Sequence, residues 1–271
     1  MNKFPILITG ANGAMGSDAV RALAAKGQPV IMACRNLERA ETVRERILYE
    51  YPEASIQLRL MDFGSLPSVR KSCADLVAEG VRLGGIFNNA GAIFRDPALT
   101  PDGFERSWQT DYLGPCLMTQ SLLPLLEEGA PVVSMVSLSA HYVSLDRSCF
   151  DFDAAHYSEL SAYARAKHAL LLFAVELGRH HPQLRVNVSD PGVVDTGILH
   201  LGRWFDPLAD VLFRPLCKRP EKGVQPALHA LESDCTLKYF VGNRCKDIPS
   251  RYLGHPDAAW LWEESRRRLG L

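Results

Sequence analysis

Ile6-Leu7-Ile8-Thr9-Gly10-Ala11-Asn12-Gly13-Ala14-Met15-Gly16 is an apolar run followed at once by a glycine-rich turn. Glycines permit a tight reversal, and they let backbone N–H groups meet a pyrophosphate at the start of the next helix, where the helix dipole favours an anion. Such turns also occur where a strand simply packs against a helix, so a glycine-rich turn alone is weak evidence. Its position directly after the first strand strengthens the prediction of dinucleotide binding. We predict a dinucleotide-binding turn whose cofactor-binding residues are Gly10, Asn12, Gly13, Ala14, Met15 and Gly16.

The rest of the chain alternates short β-branched runs with longer amphipathic windows. Strands are predicted at Ile6–Thr9, Val30–Cys34, Ile56–Met61, Gly85–Asn88, Val132–Ser137, Arg185–Ser189 and Tyr239–Val241. Helical spacing covers Leu66–Leu76, Phe104–Leu126, Tyr163–His181 and Pro220–Leu231. This alternation predicts an α/β fold, a Rossmann-type doubly wound parallel sheet of about seven strands with helices on both faces. The length of 271 residues and the 47% hydrophobic content favour a single domain over residues 1–271.

Candidate site residues follow the predicted strands, at the sheet edge where doubly wound folds bind ligands. Arg35 follows the second strand, where an acid holds the 2′-hydroxyl of NAD and an arginine accommodates the 2′-phosphate of NADP. No acid occurs until Glu38, so Arg35 and its neighbour Asn36 favour NADP, with an ordinary surface arginine as the alternative. Asp62, with Phe63, follows the third strand and either accepts a hydrogen bond from the adenine amine or forms the N-cap of the next helix with Ser65.

Tyr163 and Lys167 carry the predicted chemistry, because four residues make one helical turn and place both side chains on one face. A free tyrosine titrates near 10, so action near neutrality requires a shift of about three units, or roughly 4 kcal/mol. One cation about 4 Å away supplies about that much at an effective dielectric near 20. We predict a proton donor beside its activator, with Ser137 or Ser139 holding the substrate oxygen; an exposed helix pair is the alternative.

Composition excludes several kinds of partner. The 30 basic and 31 acidic residues give a net charge of -1, so we expect no nucleic acid or anionic membrane partner. The 7 cysteines lack metal-binding spacing, so no metal site is expected, and their odd number suits reduced thiols in a cytoplasmic protein. No apolar run approaches the roughly 20 residues that span a bilayer. The glycine turn and the Tyr-Lys pair together predict hydride chemistry on a carbonyl or alcohol, so the expected partner is a small-molecule substrate.

One stretch, residues 196–219, breaks the alternation. It contains Trp204, Phe205 and Phe213 with no clean period. A lid over an apolar substrate and a helical hairpin packed on the sheet are equal alternatives for it. The same aromatic residues would suit a subunit contact, so a homo-oligomer is left open.

The ordered motifs resemble those of the short-chain dehydrogenase/reductase family, from the first strand to the C-terminal helix. They are Thr9-Gly10 with Gly16, Asn88-Asn89-Ala90-Gly91, Tyr163 with Lys167, and Pro191-Gly192 with Thr196. Further stretches resemble the retinol-dehydrogenase-like branch, namely Ala33-Cys34-Arg35-Asn36, Asp102-Gly103-Phe104-Glu105 and Ser139-Ala140-His141. Membrane-bound members of that branch carry an N-terminal anchor, and the lack of one here predicts a soluble relative.

This resemblance implies site residues beyond those read from the residues alone. It adds the cofactor-binding residues Asn89, Ala90, Gly91, Pro191, Gly192, Val194 and Thr196, and it gives Tyr163 and Lys167 contacts with the cofactor as well. The implied catalytic residues are Tyr163, Lys167, Ser137 and Asp111. The implied activity is that of an NADP-dependent oxidoreductase that interconverts a carbonyl and an alcohol, with Tyr163 as general acid and base.

Three positions depart from the family pattern. Ala14 replaces the middle glycine of the usual turn, which narrows the room for phosphate. Asp111 replaces the active-site asparagine, whose backbone carbonyl holds a water that relays protons to the lysine. The backbone of an aspartate preserves that relay, or else its carboxylate pairs with Lys167 and weakens the lysine's effect on the phenol. A gapless count places Leu138 at the serine position, whereas matching the strand start places Ser137 there, and we favour Ser137. These departures raise a rival hypothesis, a catalytically weakened NADP-binding regulatory protein.

Overall fold

The structure is a computed structural model of the chain, and it describes residues 3–192, 194 and 219–271. Within these residues, eight strands form one sheet in the order β3-β2-β1-β4-β5-β6-β7-β8. The strands are β1 (Ile6–Thr9), β2 (Val30–Cys34), β3 (Ile56–Leu60), β4 (Gly85–Asn88), β5 (Pro131–Met135), β6 (Arg185–Asp190), β7 (Lys238–Val241) and β8 (Arg244–Asp247). Neighbouring strands are parallel except β7 and β8, which confirms the predicted fold class.

Helices connect the strands and pack on both faces of the sheet. They are α1 (Ala14–Ala24), α2 (Leu37–Glu50), α3 (Leu66–Ala78), α4 (Arg106–Trp108), α5 (Gly114–Leu122), α6 (Glu159–His180), α7 (Pro220–Gly223), α8 (Gln225–Glu232), α9 (Ser250–Leu253) and α10 (Ala258–Leu269). Leu7 of β1 packs in the core formed with α3, α5, α6 and α10. Ile6 and Ile8 pack in the opposite core, with α1, α2 and α8. Strands buried on both faces explain why the sequence shows apolar runs instead of alternation.

The helix predicted over Phe104–Leu126 is broken in the structure. Glu105 caps α4 by accepting hydrogen bonds from the backbone N–H groups of Ser107 at 2.8 Å and Trp108 at 2.7 Å. A π-helical turn then covers Gln109–Leu113 before α5 begins. Pro115 explains the wide turn, because it has no N–H for the carbonyl of Asp111 four residues earlier and its ring crowds that carbonyl. The break places Asp111 inside the π-turn.

The prediction of about seven strands missed β8. All four of its residues, Arg244–Asp247, are exposed and none is apolar except Cys245, so no hydrophobic pattern marks it. Its register pairs Val241 with Arg244, which leaves a two-residue turn of Gly242 and Asn243. Gly242 has a φ of 56°, as tight hairpin turns require. The Gly-Asn pair was the signal that a hairpin reading would have used.

Other boundaries shift by a few residues. The helix that carries Tyr163 begins at Glu159, because Ser158 accepts a hydrogen bond from Ser161 N and caps it. The helix predicted at Pro220–Leu231 divides at Val224 into α7 and α8. The predicted lid lies outside the described residues except for Arg219. In the described ranges, no helix is long and apolar enough to cross a bilayer, and no three His, Cys, Asp or Glu side chains group as metal ligands.

Candidate active site

The glycine turn joins β1 to α1 as the sequence predicts. Gly13 is the N-cap of α1, and Ala14 is its first residue. Gly10 has a φ of 60°, and its carbonyl oxygen accepts a hydrogen bond from Gly13 N at 3.0 Å. A side-chain carbon added at Gly16 would lie only 2.3 Å from that same carbonyl oxygen. Gly16 therefore allows the start of α1 to approach the Gly10 carbonyl oxygen, which any side chain at this position would prevent. The methyl group of Ala14, in contrast, is exposed and causes no such conflict.

The ends of β1 and β4 are tied together beside this turn. Thr9 Oγ1 accepts hydrogen bonds from Asn89 N and Ala90 N, both at 3.0 Å. In return, Asn89 Nδ2 donates to the carbonyl oxygen of Thr9 at 2.8 Å. The Asn-Asn-Ala-Gly stretch thus holds the backbone at the point where the strand order reverses, which is the ligand-binding position of such sheets.

A cleft of about 510 Å³ opens at this edge of the sheet. Most of the predicted site residues line it, namely Gly10, Asn12, Gly13, Ala14, Met15, Gly16, Arg35, Asp62, Phe63, Asn89, Ala90, Gly91, Tyr163, Lys167 and Pro191. The turn, Arg35 after β2 and the Tyr-Lys pair therefore share one continuous cavity. This is the arrangement on which the predicted chemistry depends.

Some predicted residues lie elsewhere. Asn36 is exposed and caps α2 by accepting a hydrogen bond from Arg39 N at 2.8 Å, so its local role is structural. Gly192 lies just beyond the cleft, and Val194 is buried against Gly223. Thr196 falls outside the described residues.

Sequence reasoning missed a further part of the cleft wall. Phe94, Leu99 and Arg106 line it, and the guanidinium of Arg106 lies 4.3 Å from the centre of the Phe94 ring. These residues follow the Asn-Asn-Ala-Gly stretch in the chain. Their position just after a predicted binding motif was the signal in the sequence that could have placed them in the cleft wall.

At the end of the cleft near β2, Arg35 is exposed and lines the cavity. Asp62 Oδ1 accepts a hydrogen bond from Gly64 N at 2.9 Å and so shapes the loop after β3. The helix cap of α3 is Ser65, which accepts from Ser68 N. The capping interpretation therefore holds for Ser65, whereas the Asp62 carboxylate bonds within the loop.

Lys167 is buried at the other end of the cleft. Its side chain is 2% exposed, and Nζ donates to the carbonyl oxygens of Met135 at 3.2 Å and Ala90 at 3.4 Å. Burial lowers the pKa of this ammonium, and the carboxylate of Asp111 acts in the opposite direction. Gly91 makes room for the amine, since a side-chain carbon there would lie 2.7 Å from Nζ. The lysine is thus held by backbone carbonyls.

Tyr163 differs from the expectation of an acidified phenol. Lys167 Nζ lies 5.7 Å from the centre of the Tyr163 ring. Burial raises the pKa of Tyr163, the carboxylates of Asp111 and Asp190 raise it further, and a hydrogen bond with Ser137 lowers it. The phenol therefore keeps its proton at neutral pH in the chain alone, which is the form that donates.

Ser137, and not Leu138, occupies the position beside Tyr163, because its hydroxyl forms a hydrogen bond with the phenol. Ser137 follows β5 and caps a 3-10 turn over Leu138–Tyr142, and its hydroxyl accepts a hydrogen bond from Ser139 Oγ at 3.0 Å. Leu138 is exposed. The placement agrees with a one-residue insertion after the strand and makes Ser139 a second hydroxyl behind the first.

Asp111 is fully buried in the π-turn. Its Oδ1 accepts a hydrogen bond from Ala92 N at 2.9 Å, while Oδ2 has no partner among the described residues. Burial raises the pKa of Asp111 to about 7, although Lys167 and the Ala92 N–H both lower it. The carboxyl group therefore changes charge near neutral pH beside the lysine.

This buried carboxyl predicts a specific pH dependence of stability. The folded pKa lies above the unfolded one, so the folded state binds more protons between about pH 4 and 7 and loses stability as pH rises through that window. The difference of about three units corresponds to roughly 4 kcal/mol. We expect Asp111→Asn to match the wild type near pH 4 and to become more stable than it as pH approaches 7, in denaturant unfolding series. Parallel curves for the two proteins would contradict this assignment.

The residues at this edge fit a dinucleotide cofactor. Asn89 Oδ1 is buried without a hydrogen-bond partner in the part of the chain that the structure describes. Gly16 keeps side chains out of the turn, and Arg35 presents a guanidinium to the same cleft from the end of β2. An open acceptor, a close backbone turn and a cation are the features that recognise a nucleotide with phosphate groups.

Comparison with known proteins agrees with the geometry. A family model for short chain dehydrogenases matches residues 5–203. Human retinol dehydrogenase 13 is 30% identical over 98% of this chain and 84% of its own length. A solved structure of an uncharacterised protein from Mycobacterium paratuberculosis has a TM-score of 0.79 at 27% identity, and it covers 99% of this chain and 94% of its own.

A short chain dehydrogenase from Shigella flexneri, solved in complex with NADP, has a TM-score of 0.69 at 22% identity. That alignment covers 90% of this chain and 98% of the other. At this identity the likeness shows the fold alone. On the family match and the retinol dehydrogenase relative, the chain belongs to the short chain dehydrogenase family and is similar to its retinol dehydrogenases.

Proposed function

We propose that this chain is an NADP-dependent oxidoreductase that reduces a carbonyl group on a small, apolar substrate, with Tyr163 as the proton donor. The observation that carries the proposal is the shared cleft: Tyr163 and Lys167 line the same cavity as the glycine turn after β1. An exposed helix pair, the alternative reading of the sequence, would lie outside that cavity.

Binding of the cofactor falls to residues at three strand ends. The backbone of Gly13 and Ala14 at the start of α1 meets the pyrophosphate, where N–H groups and the helix dipole favour anions. Arg35 meets the 2′-phosphate, and the buried Oδ1 of Asn89 offers an acceptor to the nucleotide. When bound, the reduced nicotinamide supplies hydride to the carbonyl carbon.

The chain's own residues handle the proton. Tyr163 carries a proton at neutral pH, because burial raises its pKa, and it gives this proton to the substrate oxygen as negative charge develops there. Ser137 lies beside the phenol and positions the same oxygen with its hydroxyl. Lys167 is fixed by the Ala90 and Met135 carbonyls, and its charge stabilises the phenolate left behind.

A substrate panel tests the activity directly. Purified protein is titrated with NADPH by fluorescence, and NADPH oxidation is then followed with aldehydes, ketones and quinones of increasing apolar size. We expect turnover with at least one apolar carbonyl compound, because Phe94 and Leu99 line the cleft. Tight NADPH binding with no turnover on any member would remove the enzyme proposal.

Cofactor choice has its own prediction. Arg35→Asp replaces a guanidinium with a carboxylate that repels the 2′-phosphate, so we expect NADPH affinity to fall about a hundredfold, or roughly 3 kcal/mol, with little change for NADH. Fluorescence titration of both cofactors measures this. Arg39→Asp, on the exposed surface of α2, is the matched control and should leave the ratio unchanged. Equal losses for both cofactors at Arg35 would reject the phosphate contact.

A binding protein is the second candidate, and one observation favours it. Two buried carboxylates, Asp111 and Asp190, act on Tyr163, and both oppose formation of the phenolate. A chain that binds NADPH but turns over no carbonyl compound would fit this reading.

A cytoplasmic location is a further part of the proposal. It is supported by the free thiols of all six described cysteines, and cell fractionation tests it.

A further inference from the structure

Arg106 is a cation of the cleft to which the proposed function gives no task. Among the described residues that line the cleft, the charged side chains are those of Arg35, Asp62, Arg106 and Lys167. Arg35 is assigned to the 2′-phosphate and Lys167 to the phenolate, while Asp62 bonds within its own loop. Arg106 therefore brings a positive charge to the cleft that these assignments leave unused.

Arg106 has no anionic partner in the part of the chain that the structure describes. Its guanidinium forms no ion pair or hydrogen bond there, and its central carbon lies over the Phe94 ring, 4.3 Å from the ring centre. The neighbouring Glu105 is engaged elsewhere, because it accepts hydrogen bonds from the N–H groups of Ser107 and Trp108. A guanidinium over a ring face keeps its N–H donors at its edge. These donors are available to a ligand in the cleft.

The residues around Arg106 fix its direction. Ser107 and Trp108 are buried, and the Trp108 ring packs edge-on against Tyr112 with 4.9 Å between the ring centres. The backbone N–H of Arg106 donates to the carbonyl oxygen of Ala98 at 3.3 Å. Because its neighbours in α4 face the interior, the long side chain of Arg106 occupies the cleft side of this short helix.

The Phe94 ring, with the guanidinium above it, lies near the reacting end of the cleft. Gly91 is next to Lys167, since a side-chain carbon there would lie 2.7 Å from Nζ. Phe94 follows three residues later, so at most about 11 Å of chain separates it from Gly91. Tyr157, in the loop before α6, donates from its hydroxyl to the Phe94 carbonyl oxygen at 2.6 Å. Helix α4 also packs against α6, the helix that carries Tyr163.

We propose that Arg106 binds a carboxylate of the substrate, so that the substrates are oxo acids with an apolar body between the carbonyl group and the carboxylate. This rests on the proposed function and names the substrate class of that site. Two N–H groups of a guanidinium match the two oxygens of a carboxylate. A single cation balances the one charge of a carboxylate, whereas a phosphate ester carries nearly two. Phe94 and Leu99 line the cleft as well and offer apolar surface to the body.

Matched substrate pairs test the assignment. NADPH oxidation is followed with straight-chain oxo acids of increasing length, each beside its methyl ester, which has the same carbonyl group and chain but no charge. At the best length, we expect kcat/KM for the acid to exceed that for the ester by about ten- to a hundredfold, as charge-assisted hydrogen bonds allow. Turnover of the esters with no acid preferred at any length would overturn the proposal.

Variants of Arg106 assign the preference to its guanidinium. Arg106→Met removes the charge and keeps a flexible apolar chain beside the Phe94 ring, so kcat/KM should fall about ten- to a hundredfold for the acid and much less for the ester. Arg106→Lys keeps a charge without the paired N–H groups, so its preference should be intermediate. Arg39→Met, on the exposed surface of α2, is the matched control and should keep the full preference. Equal losses for acid and ester in Arg106→Met would indicate a structural role and overturn the proposal.

A binding measurement decides about Arg106 without turnover. Octanoate is titrated calorimetrically into the wild type and into Arg106→Met in the presence of NADPH, with octanamide as the uncharged match. We expect octanoate to bind the wild type at least about tenfold more tightly than the variant, with a much smaller difference for octanamide. Equal octanoate affinity in the two proteins, or no binding to either, would refute the carboxylate site. If the wild type turns over no carbonyl compound, the proposed function fails while this titration still decides.

NADPH titration separates a substrate contact from a cofactor contact. The cofactor carries phosphate groups, so a cleft arginine can also serve them. We expect Arg106→Met to lose far less NADPH affinity than octanoate affinity, in contrast to Arg35→Asp. A loss of NADPH affinity as large as the loss for octanoate would assign Arg106 to the cofactor and overturn the proposal.

Discussion

Replacing Tyr163 with phenylalanine is expected to lower kcat for carbonyl reduction by about 10²- to 10⁴-fold, the range that a positioned general acid contributes. The ring keeps its place beside Lys167, and only the hydroxyl that bonds with Ser137 is lost. NADPH affinity should change little, because the other residues of the cleft are untouched. Steady-state kinetics on an active substrate and NADPH fluorescence titration measure the two quantities separately.

Tyr142→Phe is the matched control for this variant. Tyr142 ends the 3-10 turn that follows Ser137. Its side chain is 79% exposed, and it is not among the residues that line the cleft. Its hydroxyl should be dispensable, so the rate should equal that of the wild type. A Tyr163→Phe protein with turnover within tenfold of the wild type would show that another group supplies the proton.

Replacing Gly16 with alanine is expected to weaken NADPH binding by about a hundredfold, or roughly 3 kcal/mol. The added carbon would lie 2.3 Å from the Gly10 carbonyl oxygen, 2.8 Å from the Ala11 Cα and 3.0 Å from the Asn89 amide nitrogen. Two of these neighbours are backbone atoms, so the turn must move away from the helix start. Overpacking of this kind costs about 1–3 kcal/mol of folding stability as well.

Gly80→Ala controls for a general cost of removing a glycine. Gly80 has a φ of 66°, and an added carbon there meets nothing within 4 Å. Its conformational strain should cost about 1–2 kcal/mol of stability with no effect on NADPH affinity. Thermal unfolding and fluorescence titration of both variants separate strain from loss of the site. Normal NADPH affinity in Gly16→Ala would show that the turn does not contact the cofactor.

The fold was predictable where burial leaves a pattern in the sequence. Strands such as β1 and β2 are buried on both faces, so their residues had to be apolar. Strand β8 is exposed along its whole length, so only the Gly-Asn turn before it carried information. The interruption at Gln109–Leu113 was hidden for the opposite reason, because apolar spacing continues through the π-turn into α5.

The residues of the candidate site were predictable, but their electrostatics were not. Sequence spacing placed Tyr163 and Lys167 on one helix face, and both line the cleft. The pKa of a phenol depends on how much water and which charges surround it, and these come from distant segments. Asp190 ends a strand and had no motif to mark it, yet its bond from Tyr239 joins residues 49 positions apart.

The π-turn at Gln109–Leu113 has a consequence for how this region tolerates change. A π-turn holds one residue more than the α-turn it replaces, so each residue before it is rotated by about 100° relative to a regular helix. Deleting one residue there would restore the regular winding and carry the carboxyl of Asp111 away from Ala92 and Lys167. Chain length in this turn is therefore constrained more strictly than side-chain identity, and single-residue deletions should be tolerated less well there than substitutions.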